Sequence, residues 1–162
     1  MVALGVLQLE AVGPTGSSES VIDEGSDTTL VREGLANSLS LDGRYRDLTE
    51  AGVGGAQVRN ASRRVKLQLR SADGELVTIE GSTLPTVTRP VGTIDWSRIK
   101  GNWTHLADLP LKASGGRIDI LLGLDQAHLM MTLETRNGRD DKPMTSRTRT
   151  RVPGRCDTTI RR

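Results

Sequence analysis

Hydrophobic and polar residues alternate in several short runs of this chain, and turn-forming residues separate the runs. Residues 65–69 alternate in this way, and residues 76–79 do so again after an Asp73-Gly74 pair. Alternation with a period of two is typical of half-buried β-strands, and Asp-Gly between two such runs is typical of a hairpin turn. The pattern therefore predicts a two-stranded hairpin. Its apolar positions are Val65, Leu67, Leu69, Leu76, Val77 and Ile79.

A second predicted hairpin leads to an aspartate. Residues 3–12 alternate loosely and run into the turn-rich residues 13–18, after which an apolar strand reaches Asp23. Residues 30–41 then predict a short strand followed by one or two helical turns. Residues 51–56 are too rich in glycine to pack a core, so they predict a mobile hairpin tip.

The segment from residue 85 to residue 117 is less regular. It contains three prolines and a Gly-Gly break, which predict a connecting segment with a short helix near residues 96–106. Trp96 and Trp103 lie seven residues apart and would face the same side of that helix. We interpret both as packing residues rather than ligand contacts.

The last third of the chain begins with an apolar run. Residues 118–122 predict a buried strand and residues 125–131 a helical turn or two. Asp119 is interpreted as a surface residue and Asp125 as a helix N-cap. From residue 139 onward apolar residues nearly vanish, which predicts an edge strand at best.

The composition agrees with a small, mainly β fold. A chain of 162 residues with 35% hydrophobic content corresponds to one domain with a modest core. The chain has 18 glycines and no phenylalanine. We therefore expect short strands, many turns, one or two short helices and an aliphatic core.

The cysteine count and the hydropathy pattern bear on the compartment. Cys156 is the single cysteine, so it cannot form an intramolecular disulfide, and the fold does not require an oxidising compartment. The first ten residues lack a basic region ahead of an apolar stretch, and no apolar run is long enough to span a bilayer. These features predict a cytoplasmic protein without a membrane partner.

Charge is distributed unevenly along the chain. Residues 1–62 hold four basic against nine acidic residues, a net of −5, whereas residues 136–162 hold nine basic against three acidic residues, a net of +6. We expect a domain over residues 1–138 and a basic, poorly ordered extension over residues 139–162. The extension has no aromatic residue that could stack on a base, so nucleic acid is not expected among the partners.

Asp23 is the candidate catalytic residue. Hydrolysis by paired carboxylates needs two aspartates that share one proton, so that the charged one activates water and the neutral one donates to the carbonyl oxygen. A glycine turn after the aspartate lets backbone N–H groups and a serine hydroxyl reach its carboxylate. Gly25 and Ser26 supply these parts. Alone, Asp-x-Gly-Ser is equally typical of an ordinary turn at a strand end.

Several stretches together resemble the retropepsin-like aspartic peptidases, and most closely the peptidase domain of BEL/Pao-type retrotransposon polyproteins. The resemblance spans roughly residues 3–152. The matching stretches are residues 21–27 (VIDEGSD), 52–55 (GVGG), 95–96 (DW), 103–110 (WTHLADLP), 118–125 (IDILLGLD), 128–129 (HL) and 133–136 (LETR).

The resemblance implies an aspartic endopeptidase with a small closed β-barrel. It implies that Asp23 is catalytic, that a loop supports it, that a glycine-rich flap closes over a polypeptide substrate, and that an apolar strand forms the floor. The loop residues are Glu24, Gly25 and Ser26, the flap residues Gly52, Val53, Gly54 and Gly55, and the floor residues Ile120, Leu121, Leu122 and Gly123.

The resemblance also implies a homodimer. The chain has one Asp-x-Gly loop of this kind and is too short for two lobes, so the second aspartate would come from another copy across a twofold axis. Neither a cofactor nor a metal is implied. In the family the residue after the catalytic aspartate is usually Thr or Ser, whereas Glu24 stands here.

Two other functions remain open at this stage. The chain could be an inactive or domesticated relic that serves as a dimerisation or peptide-binding module, or its basic extension could bind nucleic acid. A metal site is disfavoured because His105 and His128 do not have the spacing of zinc ligands with each other or with Cys156. Cys156 also lies far from either histidine in sequence, which disfavours a thiol nucleophile.

Overall fold

The computed structural model describes residues 5–10, 17–52, 54–70, 75–109, 111, 113–139, 142–148 and 158–161. Within them the chain forms β-strands and three short α-helices. The strands are Gly5–Glu10 (β1), Ser17–Ile22 (β2), Leu30–Arg32 (β3), Gly43–Ala51 (β4), Gln57–Arg70 (β5), Leu76–Leu84 (β6), Val91–Asp95 (β7), Ala113–Gly116 (β8), Ile120–Leu122 (β9), Thr132–Arg136 (β10), Met144–Thr148 (β11) and Thr158–Arg161 (β12). The helices are Glu33–Ser38 (α1), Trp96–Ile99 (α2) and Ala127–Met130 (α3).

Seven strands form the main sheet in the order β1-β2-β9-β3-β6-β5-β4. β9 pairs in parallel with β2 and in antiparallel with β3, although it follows both by about ninety residues. It therefore lies between the two strands that flank the Asp23 loop. This insertion brings the distant residues 120–123 directly beneath that loop.

Alternation in β5 decides which face of the main sheet is buried. Val65, Leu67 and Leu69 are at most 3% exposed, and they pack against Leu35 and Ala36 of α1. Full burial of an aliphatic side chain of this size contributes about 1.5–3 kcal/mol to folding. The predicted antiparallel pairing of residues 65–69 with 76–79 is confirmed, while its turn at residues 73–74 lies outside the described residues.

A separate apolar cluster forms around α2. Trp96 packs with Leu106, Leu109 and Leu111, and its ring centroid lies 6.4 Å from that of Trp103. The interpretation of the two tryptophans as packing residues is confirmed. The predicted helix begins at Trp96, but it changes to a 3-10 turn at residue 100 and ends at residue 102.

The prediction of a closed barrel is wrong. In the described part of the chain, β1 and β4 are the two outer strands of the main sheet, and no ladder joins them. The remaining strands form two small sheets of their own, β7-β8 and β10-β11-β12. Because the strands are divided among three sheets, the fold is mainly β but open.

The edge-strand prediction for the chain after residue 139 is also wrong for β11. This strand pairs with β10 on one side and with β12 on the other, so it is the middle strand of its sheet. Thr145 and Thr148 on β11 are buried, which shows that short polar side chains can fill an interior position in a strand. The division of the chain between residues 138 and 139 stays a prediction.

Among the described residues, no helix has both the length and the apolar character needed to cross a membrane.

Candidate active site in the cleft beside Asp23

Asp23 directly follows β2, at the end of the parallel pairing with β9. Its backbone N–H donates to the carbonyl oxygen of Leu122 at 3.0 Å, which extends the β2–β9 ladder by one more bond. The chain then turns away from the sheet and returns at Leu30 as β3. Asp23 is therefore anchored to the floor strand at its backbone, while its half-buried side chain faces the cleft described below.

Gly25 makes the contact that the sequence predicts, since its backbone N–H binds the Asp23 carboxylate. The Gly25 N–H donates to Oδ1 of Asp23 at 2.9 Å, and the Ser26 N–H donates to the Asp23 carbonyl at 3.2 Å. A Cβ at position 25 would lie 3.1 Å from the same Oδ1, so a larger residue would crowd the carboxylate. Glu24, between these residues, is exposed.

Ser26 supports the loop in a different way from the one predicted. Its hydroxyl donates to the carbonyl oxygen of Thr28 at 2.8 Å rather than to the Asp23 carboxylate. Its own carbonyl accepts from the Leu124 N–H at 2.8 Å. Ser26 thus fixes the return of the loop and ties the loop to the chain that leaves β9.

The floor strand approaches the loop very closely at Gly123. A Cβ on this residue would lie 2.5 Å from the carbonyl carbon of Thr28, a distance at which atoms overlap. Of the predicted floor residues, Leu121 lines the cleft, whereas Ile120 and Leu122 point to the opposite face and belong to the main core. The glycine is required because only hydrogen fits between floor and loop.

Thr29 and Asp125 clamp the end of the loop to the end of the floor strand. The Thr29 hydroxyl donates to Oδ1 of Asp125 at 2.6 Å, and the Thr29 N–H donates to Oδ2 at 3.1 Å. The hydroxyl oxygen also accepts from the Gly123 N–H at 3.1 Å. The interpretation of Asp125 as a helix N-cap is wrong, since its carboxylate binds Thr29 instead.

Asp119 is a second residue whose role differs from the sequence interpretation. Its side chain is only 15% exposed, and Oδ1 accepts from Nε of Arg32 at 2.6 Å. The Arg32 N–H also donates to the Asp119 carbonyl at 2.7 Å. Asp119 is therefore no ordinary surface residue, because it joins the segment before β9 to the end of β3.

The glycine-rich segment lies at the tip of the β4–β5 hairpin. β4 and β5 pair without interruption from Gly43–Val65 to Ala51–Gln57. The tip is closed by the Gly52 N–H, which donates to the Ala56 carbonyl at 2.8 Å, and it contains positive φ angles of 86° at Gly54 and 79° at Gly55. These angles favour glycine. The predicted hairpin tip is thus confirmed, and Val53 lies outside the described residues.

A cleft of about 620 Å³ separates the Asp23 loop from this hairpin. The loop, the floor and the hairpin all contribute to its walls. The lining residues are Asp23, Gly25, Ser26, Asp27, Thr28, Leu30, Leu48, Thr49, Glu50, Ala51, Gly52, Ala56, Val58, Val87 and Leu121. Its charged groups are three carboxylates without a lysine or arginine, so the described walls are acidic and otherwise largely apolar.

Glu50 is one of these carboxylates and lies on the hairpin wall. Along β4 it shares the cleft face with Leu48, since residues two apart in a strand point the same way. Its Oε2 accepts from Nδ2 of Asn60 at 3.4 Å. Its Oε1 is shielded from water and has no hydrogen-bond partner within the described part of the chain. A buried carboxylate oxygen without a hydrogen-bond donor lowers the free energy of unfolding.

His105 makes a contact between two segments of the chain. Nε2 of His105 lies 2.8 Å from the carbonyl oxygen of Pro143 and so links the segment before β8 to the segment before β11. Among the residues that the structure describes, no group of three or more His, Cys, Asp or Glu side chains converges as metal ligands would. Cys156 lies outside the described residues.

Comparison with known proteins gives similarity in structure alone. No protein-family model matches the chain, and no curated protein sequence matches it. One solved structure that resembles it is the retroviral protease-like domain of Ddi1 from Leishmania major. The two chains share 11% identity with a TM-score of 0.41, and the match covers 94% of this chain and 97% of that domain. A TM-score of this size lies below the level that establishes a shared fold.

Proposed function

We propose that this chain is a retropepsin-like aspartic endopeptidase that acts as a homodimer and uses Asp23 as its catalytic carboxylate. The observation that carries the proposal is the position of Asp23. It stands at the end of a strand, braced by the Gly25 N–H, above a floor strand that ends in Gly123, and it faces a cleft that a glycine-tipped hairpin bounds on the other side.

The proposed chemistry needs two copies of Asp23. Two carboxylates about 3 Å apart cannot both be ionised, so they hold one proton between them. The ionised member removes a proton from a water molecule as that water attacks the peptide carbonyl carbon. The neutral member donates its proton to the carbonyl oxygen, which gives a tetrahedral diol. When the diol collapses, one of its hydroxyls gives a proton to the ionised member and the neutral member protonates the nitrogen, so the C–N bond breaks, the acid and the amine leave, and the pair again holds one proton.

Each copy contributes one half of this site. Gly25 and Ser26 act as loop support, since the first donates to the carboxylate and the second fixes the loop backbone. Glu24 follows Asp23 at an exposed position. In a symmetric dimer the two Glu24 side chains would approach the axis together, so repulsion between them would weaken dimerisation.

The β4–β5 hairpin acts as the flap in this proposal. The predicted flap residues Gly52, Val53, Gly54 and Gly55 would move in this proposal, and closure over the substrate would remove water from the reacting carbonyl. The substrate would lie extended between the flap and the floor residue Leu121, with its backbone paired as an added strand. The apolar wall residues Leu30, Val58 and Val87 would then contact alternate side chains of the substrate.

We further propose that the natural substrate is the polyprotein of a BEL/Pao-type retrotransposon in which this domain is encoded, and that cleavage takes place in the cytoplasm. This part of the proposal depends on the sequence stretches around residues 21–27, 95–110 and 118–136. No cofactor enters the mechanism, because the proton and the water supply all the chemistry.

The proposal is tested with the purified chain and a library of internally quenched peptides, assayed between mildly acidic and neutral pH. We expect cleavage that a pepstatin-type transition-state mimic blocks and that Asp23→Asn abolishes. Asp42→Asn is the matched control, because Asp42 is exposed and lies outside the cleft, so the same change of charge should leave the rate unchanged.

Two outcomes would overturn the proposal. One is cleavage that persists in Asp23→Asn, which would assign it to another residue or to a contaminant. The other is a folded dimer that binds peptides but cleaves none at any pH tested, which would support the inactive relic with a peptide-binding role.

A further inference from the structure

The face of the β4–β5–β6 region that points away from α1 gathers four cations from two separate stretches of the sequence. Arg44 and Arg46 of β4 lie beside Arg64 and Lys66 of β5, and Arg44 is directly opposite Arg64 in the strand register. These residues, with Tyr45 and Glu80, line a shallow groove of about 390 Å³. None of them lines the Asp23 cleft, so the two sites are separate.

The groove has a large excess of positive charge. Glu80 is its single carboxylate, and it accepts from Nε of Arg64 at 2.8 Å and pairs with Nζ of Lys66 at 3.1 Å. Hydrogen bonds from these two partners lower the pKa of Glu80, so it stays ionised at neutral pH. Four cations against one carboxylate leave a net charge of +3.

The strand register places like charges next to each other, which destabilises the sheet when no anion is bound. Like charges directly opposite each other on neighbouring strands destabilise a sheet, and Arg44 and Arg64 are such a pair. Arg46 donates to the Ser82 hydroxyl at 2.7 Å, which is a neutral partner, and no carboxylate of the described residues pairs with it. An anion bound between the strands would relieve the repulsion.

We propose that this groove binds the phosphate backbone of a single-stranded nucleic acid. Three of the four cations are arginines, whose planar guanidinium groups bind phosphate through paired N–H donors. Residues 44 and 46 lie roughly 7 Å apart along β4, and β5 lies about 4.8 Å away, so the cations form a grid that successive phosphates can contact. Tyr45 also lines the groove and is 79% exposed; Arg63 lies over one face of its ring, 6.0 Å from the centroid, so only the other face is open to a base.

The sequence alone did not predict this surface. The basic segment of the sequence is residues 139–162, where arginine alternates with threonine over residues 147–151, and nucleic acid is not expected there. Between residues 44 and 80 seven basic residues are interspersed with five acidic ones, and only the pairing of β4 with β5 brings Arg44 beside Arg64.

The test is fluorescence anisotropy of a labelled oligothymidylate of about 20 nucleotides, long enough for the site sizes common in such proteins. The full chain is titrated at several salt concentrations. Four phosphate contacts predict a slope of about −2.8 in a plot of log K against log salt. The double variant Arg44→Gln/Arg64→Gln should bind at least about tenfold more weakly and should show a slope nearer −1.4.

The matched control is Arg89→Gln/Arg98→Gln, which removes the same charge from two exposed arginines outside the groove. This control should bind like the unmodified chain. The groove variant keeps every basic residue of 139–162, so a loss of binding in it reports on the groove. It should melt at about the same temperature, because the lost repulsion between Arg44 and Arg64 is offset by the lost ion pair of Arg64 with Glu80.

Three results would overturn the proposal. Equal weakening by both double variants would mean that general charge attracts the nucleic acid. Poly-glutamate that competes as well as the oligonucleotide would assign the groove to an acidic protein. A duplex of the same length that binds as tightly as the single strand would exclude a single-strand site.

Discussion

Asp125 accepts two hydrogen bonds from Thr29, one from the hydroxyl at 2.6 Å and one from the backbone N–H at 3.1 Å, across 96 residues of sequence. The same hydroxyl accepts from the Gly123 N–H. These contacts fix the exit of the Asp23 loop to the exit of β9. The position of Asp23 over the floor strand therefore depends on a residue that takes no part in the proposed chemistry.

This clamp predicts strong coupling between the two side chains. Asp125→Ala leaves the buried Thr29 without its acceptor, and Thr29→Val removes the hydroxyl, so each should lower the free energy of unfolding by about 1–3 kcal/mol. The double variant should lose clearly less than the sum, with a coupling of at least about 1 kcal/mol. Urea unfolding of the four proteins measures this. Additive losses would show that the contact contributes little.

The close approach of Gly123 to the Asp23 loop predicts that a side chain at position 123 would displace that loop. Gly123→Ala would place a methyl group 2.5 Å from the Thr28 carbonyl carbon, and overpacking of this kind costs about 1–3 kcal/mol. Peptide cleavage should fall with it, since the loop must move. Gly92→Ala is the control, because a Cβ there meets no atom within 4 Å. Equal stability of the two variants would contradict the close packing of floor and loop.

Glu33 predicts a dependence of stability on pH. Hydrogen bonds from the Thr83 hydroxyl and from Arg63, together with the charge of Arg63, lower the pKa of Glu33 more than burial raises it. Ionised Glu33 therefore stabilises the fold above its unfolded pKa of about 4.3, and this contribution is lost as the pH falls through the lower folded pKa.

Glu33→Gln removes that contribution. The variant should be less stable than the unmodified chain at pH 7, and the difference should shrink as the pH approaches 3. Denaturant unfolding at a series of pH values measures it, with Glu75→Gln at an exposed position as the control. A difference that is constant with pH would contradict the role of ionised Glu33.

Because the Glu50 carboxylate lines the cleft, the proposed peptidase should prefer substrates with basic side chains. Glu50 is one of three carboxylates that line the cleft, whose described walls carry no lysine or arginine, so a lysine or arginine side chain of the substrate would be attracted to this wall. Peptides with one basic residue next to the cleaved bond should have a kcat/KM roughly tenfold above that of glutamine analogues. Glu50→Gln should remove the preference and Glu75→Gln should keep it. An unchanged ratio in Glu50→Gln would contradict this role.

Local sequence pattern was sufficient to predict the elements in which alternation of residues matches alternation of burial. In β5, residues of one parity are buried by the neighbouring α1, so alternation alone identified the strand and its inward face. Local pattern could not show whether the sheet closes into a barrel. Closure depends on how β1 and β4 meet, and these strands are forty residues apart with no local signal for pairing.

The same limit applies to the candidate site. Turn chemistry identified the Asp23–Gly25 contact because both residues lie within one loop. It gave the wrong partner for Ser26 and the wrong role for Asp125, because a hydroxyl or carboxylate binds whichever donor or acceptor the fold brings near. Thr29 stands 96 residues before Asp125, and nothing in either local sequence indicates the other.

The central claim is that two chains supply one Asp23 each to a shared site. It is tested most directly by mixing unmodified chain with Asp23→Asn at a fixed total concentration and measuring peptide cleavage. If chains pair at random and both aspartates are needed, the rate falls with the square of the unmodified fraction, to about one quarter in an equal mixture. A fall to about one half, in direct proportion to that fraction, would show that one chain acts alone and would contradict the account.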